Sequence, residues 1–199
     1  VDYKGKLIVF EGIDGSGKTT LCREVFKVLV SQGKSCISTF EPTNGKWGKL
    51  LRKSFSAKRL NPKEELELFI KDRKEHVKEL IIPSMVEGKI VLCDRYYLST
   101  MAYQGARGID VYKIKKENEA FAPLPNMAFI LHIDVREALR RISEKRGDKL
   151  NSFERYDYLR RVAEIFDSFN FPWIKRLDAS LPKEILVKKV INIIDKLDC

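Results

Sequence analysis

Nine consecutive residues, Gly12-Ile13-Asp14-Gly15-Ser16-Gly17-Lys18-Thr19-Thr20, carry the clearest chemical signal in this sequence. They fit the pattern G-x-x-x-x-G-K-[ST] in full, after the apolar run Leu7-Ile8-Val9-Phe10 and before a helical pattern. Gly12 and Gly17 permit a tight turn whose backbone N–H groups face phosphate oxygens. Lys18 adds a point positive charge for the outer phosphates of a nucleoside triphosphate. Thr19 offers a hydroxyl to a magnesium ion. Asp14, Gly15, Ser16 and Thr20 complete the loop, and the helix that begins here turns its positive end towards the anion. The plain alternative is a glycine-rich turn with a chance Lys-Thr. The strand–loop–helix context argues against it.

Two further places have the residue types for phosphate chemistry. Asp94 and Arg95 follow the wholly apolar run Ile90-Val91-Leu92-Cys93. A carboxylate and a guanidinium at the end of a buried strand are costly unless they have partners. Glu41 follows the alternating run from Ser35 to Phe40 and opens the turn sequence Glu41-Pro42-Thr43-Asn44-Gly45.

These residues need elements to place them. Strands are expected at Lys6 to Glu11, Ser35 to Phe40, Ile90 to Cys93, Ala128 to Ile133 and Trp173 to Leu177. Helices are expected from Lys18 to about Gln32, from Trp47 to about Phe55, and from Asn61-Pro62 towards Leu80, with Pro83 kinking or restarting the last. More follow from Leu98, from Val111 to about Phe121, from Glu137 to Lys145, from about Phe153 to Phe169 and from Lys183 to Leu197. Strands alternating with helices imply one α/β domain over residues 1–199, a five-stranded parallel sheet flanked by helices. Ligands of such sheets sit beyond the carboxyl ends of the strands, where Gly12, Glu41 and Asp94 all fall.

Composition narrows the class. The chain has 199 residues, 44% apolar and 33% charged, which reads as soluble and globular. No apolar run approaches the roughly 20 residues of a membrane span. Cys22, Cys36, Cys93 and Cys199 lack metal or redox spacing, so reduced thiols in the cytoplasm are the expectation. The net charge of +10 suits a pocket for several phosphates plus a lysine-rich exterior. No zinc-finger spacing or aromatic RNA-binding signature accompanies it, and a nucleic-acid partner is not expected.

A GTP switch would need an Asn-Lys-x-Asp guanine reader, which is absent. The loop together with Phe40-Glu41-Pro42, Asp94-Arg95-Tyr96, Ser99 and Ala102-Tyr103-Gln104-Gly105-Ala106-Arg107-Gly108 resembles a bacterial-type thymidylate kinase. The likeness runs from about Leu7 to Asp178-Ala179-Ser180-Leu181-Pro182, nearly the whole chain. It implies a P-loop nucleoside-monophosphate-kinase fold with a short lid, a homodimer, and ATP- and Mg2+-dependent phosphorylation of dTMP to dTDP for dTTP synthesis. By the resemblance, Asp14 contacts the deoxyribose 3′-hydroxyl, Phe69 stacks on thymine and Arg73 hydrogen-bonds the base. Phe69 and Arg73 are four apart on one helix and can grip a flat base together. Ser99 and Gln104 resemble contacts to the base edge, Tyr103 the ring that would clash with a 2′-hydroxyl, and Arg52 and Arg95 the clamp on the acceptor phosphate. Asp94 would act through magnesium-bound water or orient the clamp, and Glu41 would help order the water shell.

Each assignment has an ordinary counterpart: Phe69 and Tyr103 as core aromatics, Arg73 and Arg52 as surface charge, Ser99 as a helix cap. The resemblance also requires an arginine over the transferring group, from the loop or from a lid. Gly15 occupies the loop position, so the lid, at about 143–153, must supply it. Arg146 is the first choice, with Arg141 and Lys149 behind it. Ser152 stands where the family often has an arginine before the Phe-Glu pair. A same-fold kinase for another nucleotide or nucleoside, or a non-catalytic nucleotide-binding protein, are the competing readings.

Overall fold

The computed structural model describes residues 3–57, 59–146 and 152–197, without the side chains of 145–146 and 152–155. Five strands, β1 (Lys6–Glu11), β2 (Cys36–Phe40), β3 (Ile90–Asp94), β4 (Met127–His132) and β5 (Ile174–Asp178), form one sheet in the order β2-β3-β1-β4-β5. Every pairing is parallel. The helices are α1 (Lys18–Ser31), α2 (Lys46–Ser56), α3 (Pro62–His76), α4 (Ile82–Val86), α5 (Tyr97–Gly105), α6 (Val111–Glu119), α7 (Val135–Arg146), α8 (Ser152–Ser168) and α9 (Lys183–Asp195). This is the helix-flanked parallel sheet that the alternating pattern implies. No helix among the described residues is long and apolar enough to cross a membrane.

The three inner strands are apolar on both faces because helices cover both. Leu7 to Phe10, Val91 to Cys93 and Ala128 to Leu131 are all buried. α1 turns Leu21, Cys22, Val25 and Leu29 into this core, and α9 adds Leu186, Val190 and Ile194. The register then fixes the site. Phe10 pairs with Asp94 on one side and Phe129 on the other, and Phe40 pairs with Asp94 from beyond. Glu11, Arg95 and Glu41 therefore emerge level at the carboxyl edge. β1 is central, and the chain crosses to β3 on one side of it and β4 on the other, the switch point where such sheets bind ligands.

The helical run after Asn61 has a break that the pattern places at Pro83. The α-helical ladder ends at His76, widens into a π-helical turn over Val77–Ile81, and resumes in α4 with Pro83 in its first turn. Proline has no N–H for the preceding turn, and the wider turn absorbs that missing bond. Other elements differ from expectation at their ends. α7 starts at Val135 because Asp134 Oδ1 accepts the N–H groups of Arg136 (2.9 Å) and Glu137 (3.2 Å).

The start of α3 is set by Asn61, whose Oδ1 accepts from the N–H of Lys63 (3.1 Å) and Glu64 (3.0 Å), with Pro62 in the first turn. Replacing Asn61 with Ala is expected to cost about 1 kcal/mol. Urea unfolding monitored by circular dichroism checks this, as a lowered midpoint at unchanged slope.

Candidate active site

The phosphate-binding loop joins β1 to α1. Gly12, Gly15 and Gly17 have φ of 130°, 82° and 94°, conformations that L side chains rarely adopt. Two of them also sit against backbone. A Cβ on Gly12 would lie 2.6 Å from the Leu131 carbonyl oxygen, and one on Gly15 would lie 2.3 Å from that of Ala138 in α7. Lys18 is buried, and its Nζ donates to the Ile13 carbonyl at 2.7 Å. Burial, with the nearby Arg95 charge, pushes the Lys18 amine down to about 7 against the pull of Asp14, Asp94 and Glu11. A phosphate in this loop would supply the negative charge that keeps the ammonium form. Around it lies a cleft of about 660 Å³, lined by loop residues 14–20, Arg95, Arg141, Ile142, Ala179 and Leu181 among others.

Asp94 and Arg95 have the partners that their place demands. Asp94 Oδ2 accepts the Thr19 hydroxyl at 2.5 Å. Its other oxygen, Oδ1, is buried and has no hydrogen-bond partner among the described residues. A hydroxyl and a carboxylate side by side, with one oxygen unsatisfied, suit a hard divalent cation and its water shell. Arg95 is the one non-glycine residue with positive φ (73°) among the described residues. Its N–H donates to the Phe10 carbonyl at 2.9 Å. The guanidinium donates to Asp14 Oδ1 at 2.5 Å and to Ser99 Oγ at 3.0 Å, and stands 5.2 Å from the Tyr103 ring centroid. The Tyr103 hydroxyl accepts the Asp14 N–H at 2.9 Å, tying α5 to the loop.

A second polar group lies beside α3. Arg73 is 1% exposed although its sequence neighbours are charged. Its Nε donates to Glu41 Oε2 at 2.8 Å, one terminal nitrogen to Asn118 Oδ1 at 2.5 Å and the other to Thr100 Oγ1 at 2.9 Å. His76 holds the far side of Glu41 at 2.9 Å and meets the Thr39 hydroxyl at 2.7 Å. Burial pushes the Glu41 carboxyl up, but the Arg73 charge and the His76 contacts outweigh it and hold it below its usual value. Cys93 lies within reach of Glu41 and His76, yet the cluster is no cation site, because the Arg73 guanidinium already neutralises Glu41. Gln104 is fully buried, and neither end of its amide has a partner among the described residues. It is four residues beyond Thr100 on α5 and shares its face.

The remaining candidates fall in different places. Phe69 is half-buried, with its ring 6.4 Å from that of Phe55. Arg52 donates to the carbonyls of Pro42 (2.7 Å) and Thr43 (2.6 Å) and to Asn44 Oδ1 (3.1 Å), so it braces the loop after β2. Glu41 turns towards Arg73 and His76. Ser99 faces Glu11 and Arg95, whereas Thr100, the next residue, faces Arg73. Arg141 lines the cleft and donates to Glu137 Oε1 (2.8 Å) and the Ala179 carbonyl (3.3 Å). The Arg146 side chain, Lys149 and most of the expected lid lie outside the described residues. Thr100, Asn118, His76 and Glu11 were not singled out by the sequence. Only Glu11, at the end of a strand and against Gly12, carried a local hint.

A phosphate loop at the central strand, a Thr–Asp pair beside it and an arginine across the same cleft define a P-loop phosphotransferase of the nucleotide-kinase class. The model of the thymidylate kinase family matches residues 10–190. Curated relatives named thymidylate kinase agree: that of Desulfotalea psychrophila is 49% identical over 88% of this chain and 87% of its own. That of Brachyspira hyodysenteriae is 46% identical (96% and 94%), and that of Akkermansia muciniphila 48% (95% and 91%). The chain belongs to the thymidylate kinase family.

The approach of α7 to Gly15 can be tested. Gly15→Ala places a side chain at φ 82° and against the Ala138 carbonyl. The expected loss is about 2–4 kcal/mol, from left-handed backbone plus overpacking. Chemical denaturation measures it, and fluorescent-nucleotide titration is expected to show weaker ATP binding.

Proposed function

We propose that the chain transfers the γ-phosphoryl group of ATP to dTMP, giving ADP and dTDP. One observation carries this reading: Lys18 and Arg95 line the same cleft. A donor phosphate on Lys18 and an acceptor phosphate on Arg95 would meet there. A dTMP phosphate oxygen attacks the γ-phosphorus as the bond to the β-phosphate oxygen breaks. Such a transfer asks the protein for alignment, charge neutralisation and exclusion of water.

The parts then have roles. The N–H groups of residues 14–20 and Lys18 hold the triphosphate. Thr19 and Asp94 would hold magnesium, which supplies charge neutralisation at the donor phosphates. Arg95 grips the acceptor phosphate, and Asp14 is placed for the sugar 3′-hydroxyl. Tyr103, stacked against Arg95 and bonded to the loop, walls the sugar. Arg73, Thr100 and Gln104 form the polar side of the base site and Phe69 the apolar side. Arg52 acts through the loop after β2 or reaches the acceptor phosphate once that loop moves. The cation over the transferring group comes from the lid at about 143–153 or from beside it, with Arg146 the first choice and Arg141 and Lys149 behind it. A cytoplasmic location fits nucleotide substrates of this kind.

A homodimer completes the proposal. The long helix from Pro62 and the helix around Leu98 are the candidate pairing elements; Tyr97 to Ala102 are buried within their own chain, which favours the former. The surface of α3 and the turn beyond it, with Leu80 exposed, is the face we propose for pairing.

Two experiments test this. In a coupled assay, dTMP is expected to be turned over well ahead of dCMP and dGMP, and Arg95→Ala to lower kcat/KM for dTMP by about 10²-fold or more while ATP still binds. Equal turnover of the three monophosphates would remove the substrate assignment. Analytical ultracentrifugation is expected to show twice the 23.1 kDa chain mass.

A further inference from the structure

Glu11 ends β1, is fully buried, and has no part in the scheme above. Its carboxylate receives three donors. Oε1 accepts the N–H of Tyr96 at 2.9 Å and of Ser99 at 3.2 Å, and Oε2 accepts the Ser99 hydroxyl. Those N–H groups belong to the opening turn of α5, whose cap residue, Tyr96, provides no side-chain bond of its own. A carboxylate from the neighbouring strand therefore does the work of an N-cap, against the positive end of the helix. A carboxylate, with two acceptor oxygens, meets all three donors. A glutamine would offer one oxygen and turn a donor towards the Ser99 hydroxyl.

The connection to Arg95 is short. Ser99 Oγ, which donates to Glu11, accepts from Arg95 at 3.0 Å. Arg95 also sits one residue before the cap, in a backbone conformation that needs support from its surroundings. Burial pushes the Glu11 carboxyl up to about 7, although the Ser99 hydroxyl, the Arg95 charge and the two backbone N–H groups all oppose it. The fold thus holds a costly buried acid behind the arginine that faces the cleft.

We propose that Glu11 is a positioning residue for the acceptor-phosphate clamp: through the Ser99 hydroxyl and the cap of α5 it sets where the Arg95 guanidinium stands. The proposal rests on the reading of Arg95 as that clamp.

The test uses the full chain with Glu11→Gln, Ser99→Ala, Ser99→Thr, the Glu11→Gln/Ser99→Ala double variant and Arg95→Ala. Each is assayed with dTMP varied at saturating ATP, then with ATP varied at saturating dTMP, alongside thermal melts. Ser99→Ala leaves both backbone N–H bonds to Glu11 in place. It is expected to lower kcat/KM for dTMP about tenfold, with the KM for ATP within about twofold. Ser99→Thr keeps the hydroxyl and is expected to restore most of that loss. Glu11→Gln is expected to lose about ten- to thirtyfold on the dTMP side, and the double variant no more than Glu11→Gln alone, because the two changes break one link. Losses that multiply, or ATP and dTMP parameters that fall together, would overturn the proposal, as would dTMP kinetics unmoved by Glu11→Gln. If Glu11→Gln does not fold, the Ser99→Ala and Ser99→Thr pair decides: no loss, or no restoration, rejects the link. If Arg95→Ala itself spares dTMP turnover, the clamp reading falls. If it collapses turnover while Glu11→Gln and Ser99→Ala do not, only the positioning role falls.

Discussion

Arg95 occupies a left-handed backbone conformation at the carboxyl end of a buried strand, and much of the rim is arranged around keeping it there. Its N–H is tied to Phe10 on β1, and its guanidinium to Asp14 in the loop and Ser99 on α5, with the Tyr103 ring alongside. A charge so enclosed is stable only when paired and hydrogen-bonded. The parallel register supplies the partners, since Phe10 and Asp94 are level and the chain beyond each turns into the same space. The Thr19–Asp94 bond closes the arrangement from the α1 side. The glycine-rich loop and Arg95 are thus parts of one hydrogen-bonded unit, so movement of one is felt by the other.

Gly15 shows how packing can decide where a catalytic charge comes from. The carbonyl of Ala138 stands where any Cβ on residue 15 would go. An arginine in the loop at that position would have to displace α7. Under the proposed function, a cation over the transferring group would come from α7, where Arg141 lines the cleft, or from the chain beyond it. Because α7 rests on the loop, the loop also fixes where α7, and Arg141 on it, stands.

The loop, the five strands and the Asp94–Arg95 pair were legible in the sequence because their signals are local: glycine spacing, apolar runs and charges at strand ends. Arg73 was ambiguous for the opposite reason. Its window from Lys71 to Lys78 is charge-rich and reads as solvated, yet its partners come from β2, α5 and α6 and bury it. The distinction between Ser99 and Thr100 is finer still. One residue along a helix is a turn of about 100°, enough to send one hydroxyl to Glu11 and the next to Arg73. Glu11 reads as an ordinary strand end, because its donors lie on a helix whose packing the sequence does not reveal.

The polar group around Arg73, proposed above as one side of the base site, is held by the chain itself. Arg73 is clamped by Glu41, Thr100 and Asn118, and Glu41 is backed by His76 and Thr39, so little ordering is left for binding. Gln104, with both ends of its amide unsatisfied by the described residues, is the exception. A buried amide left unpaired costs about 1–3 kcal/mol. A planar base whose edge presents a donor beside an acceptor would recover that cost at both ends, and a ligand lacking such a pair would not. An unpaired side chain thus contributes to selectivity as a paired one does, since sites built to hydrogen-bond reject ligands that leave their polar groups alone.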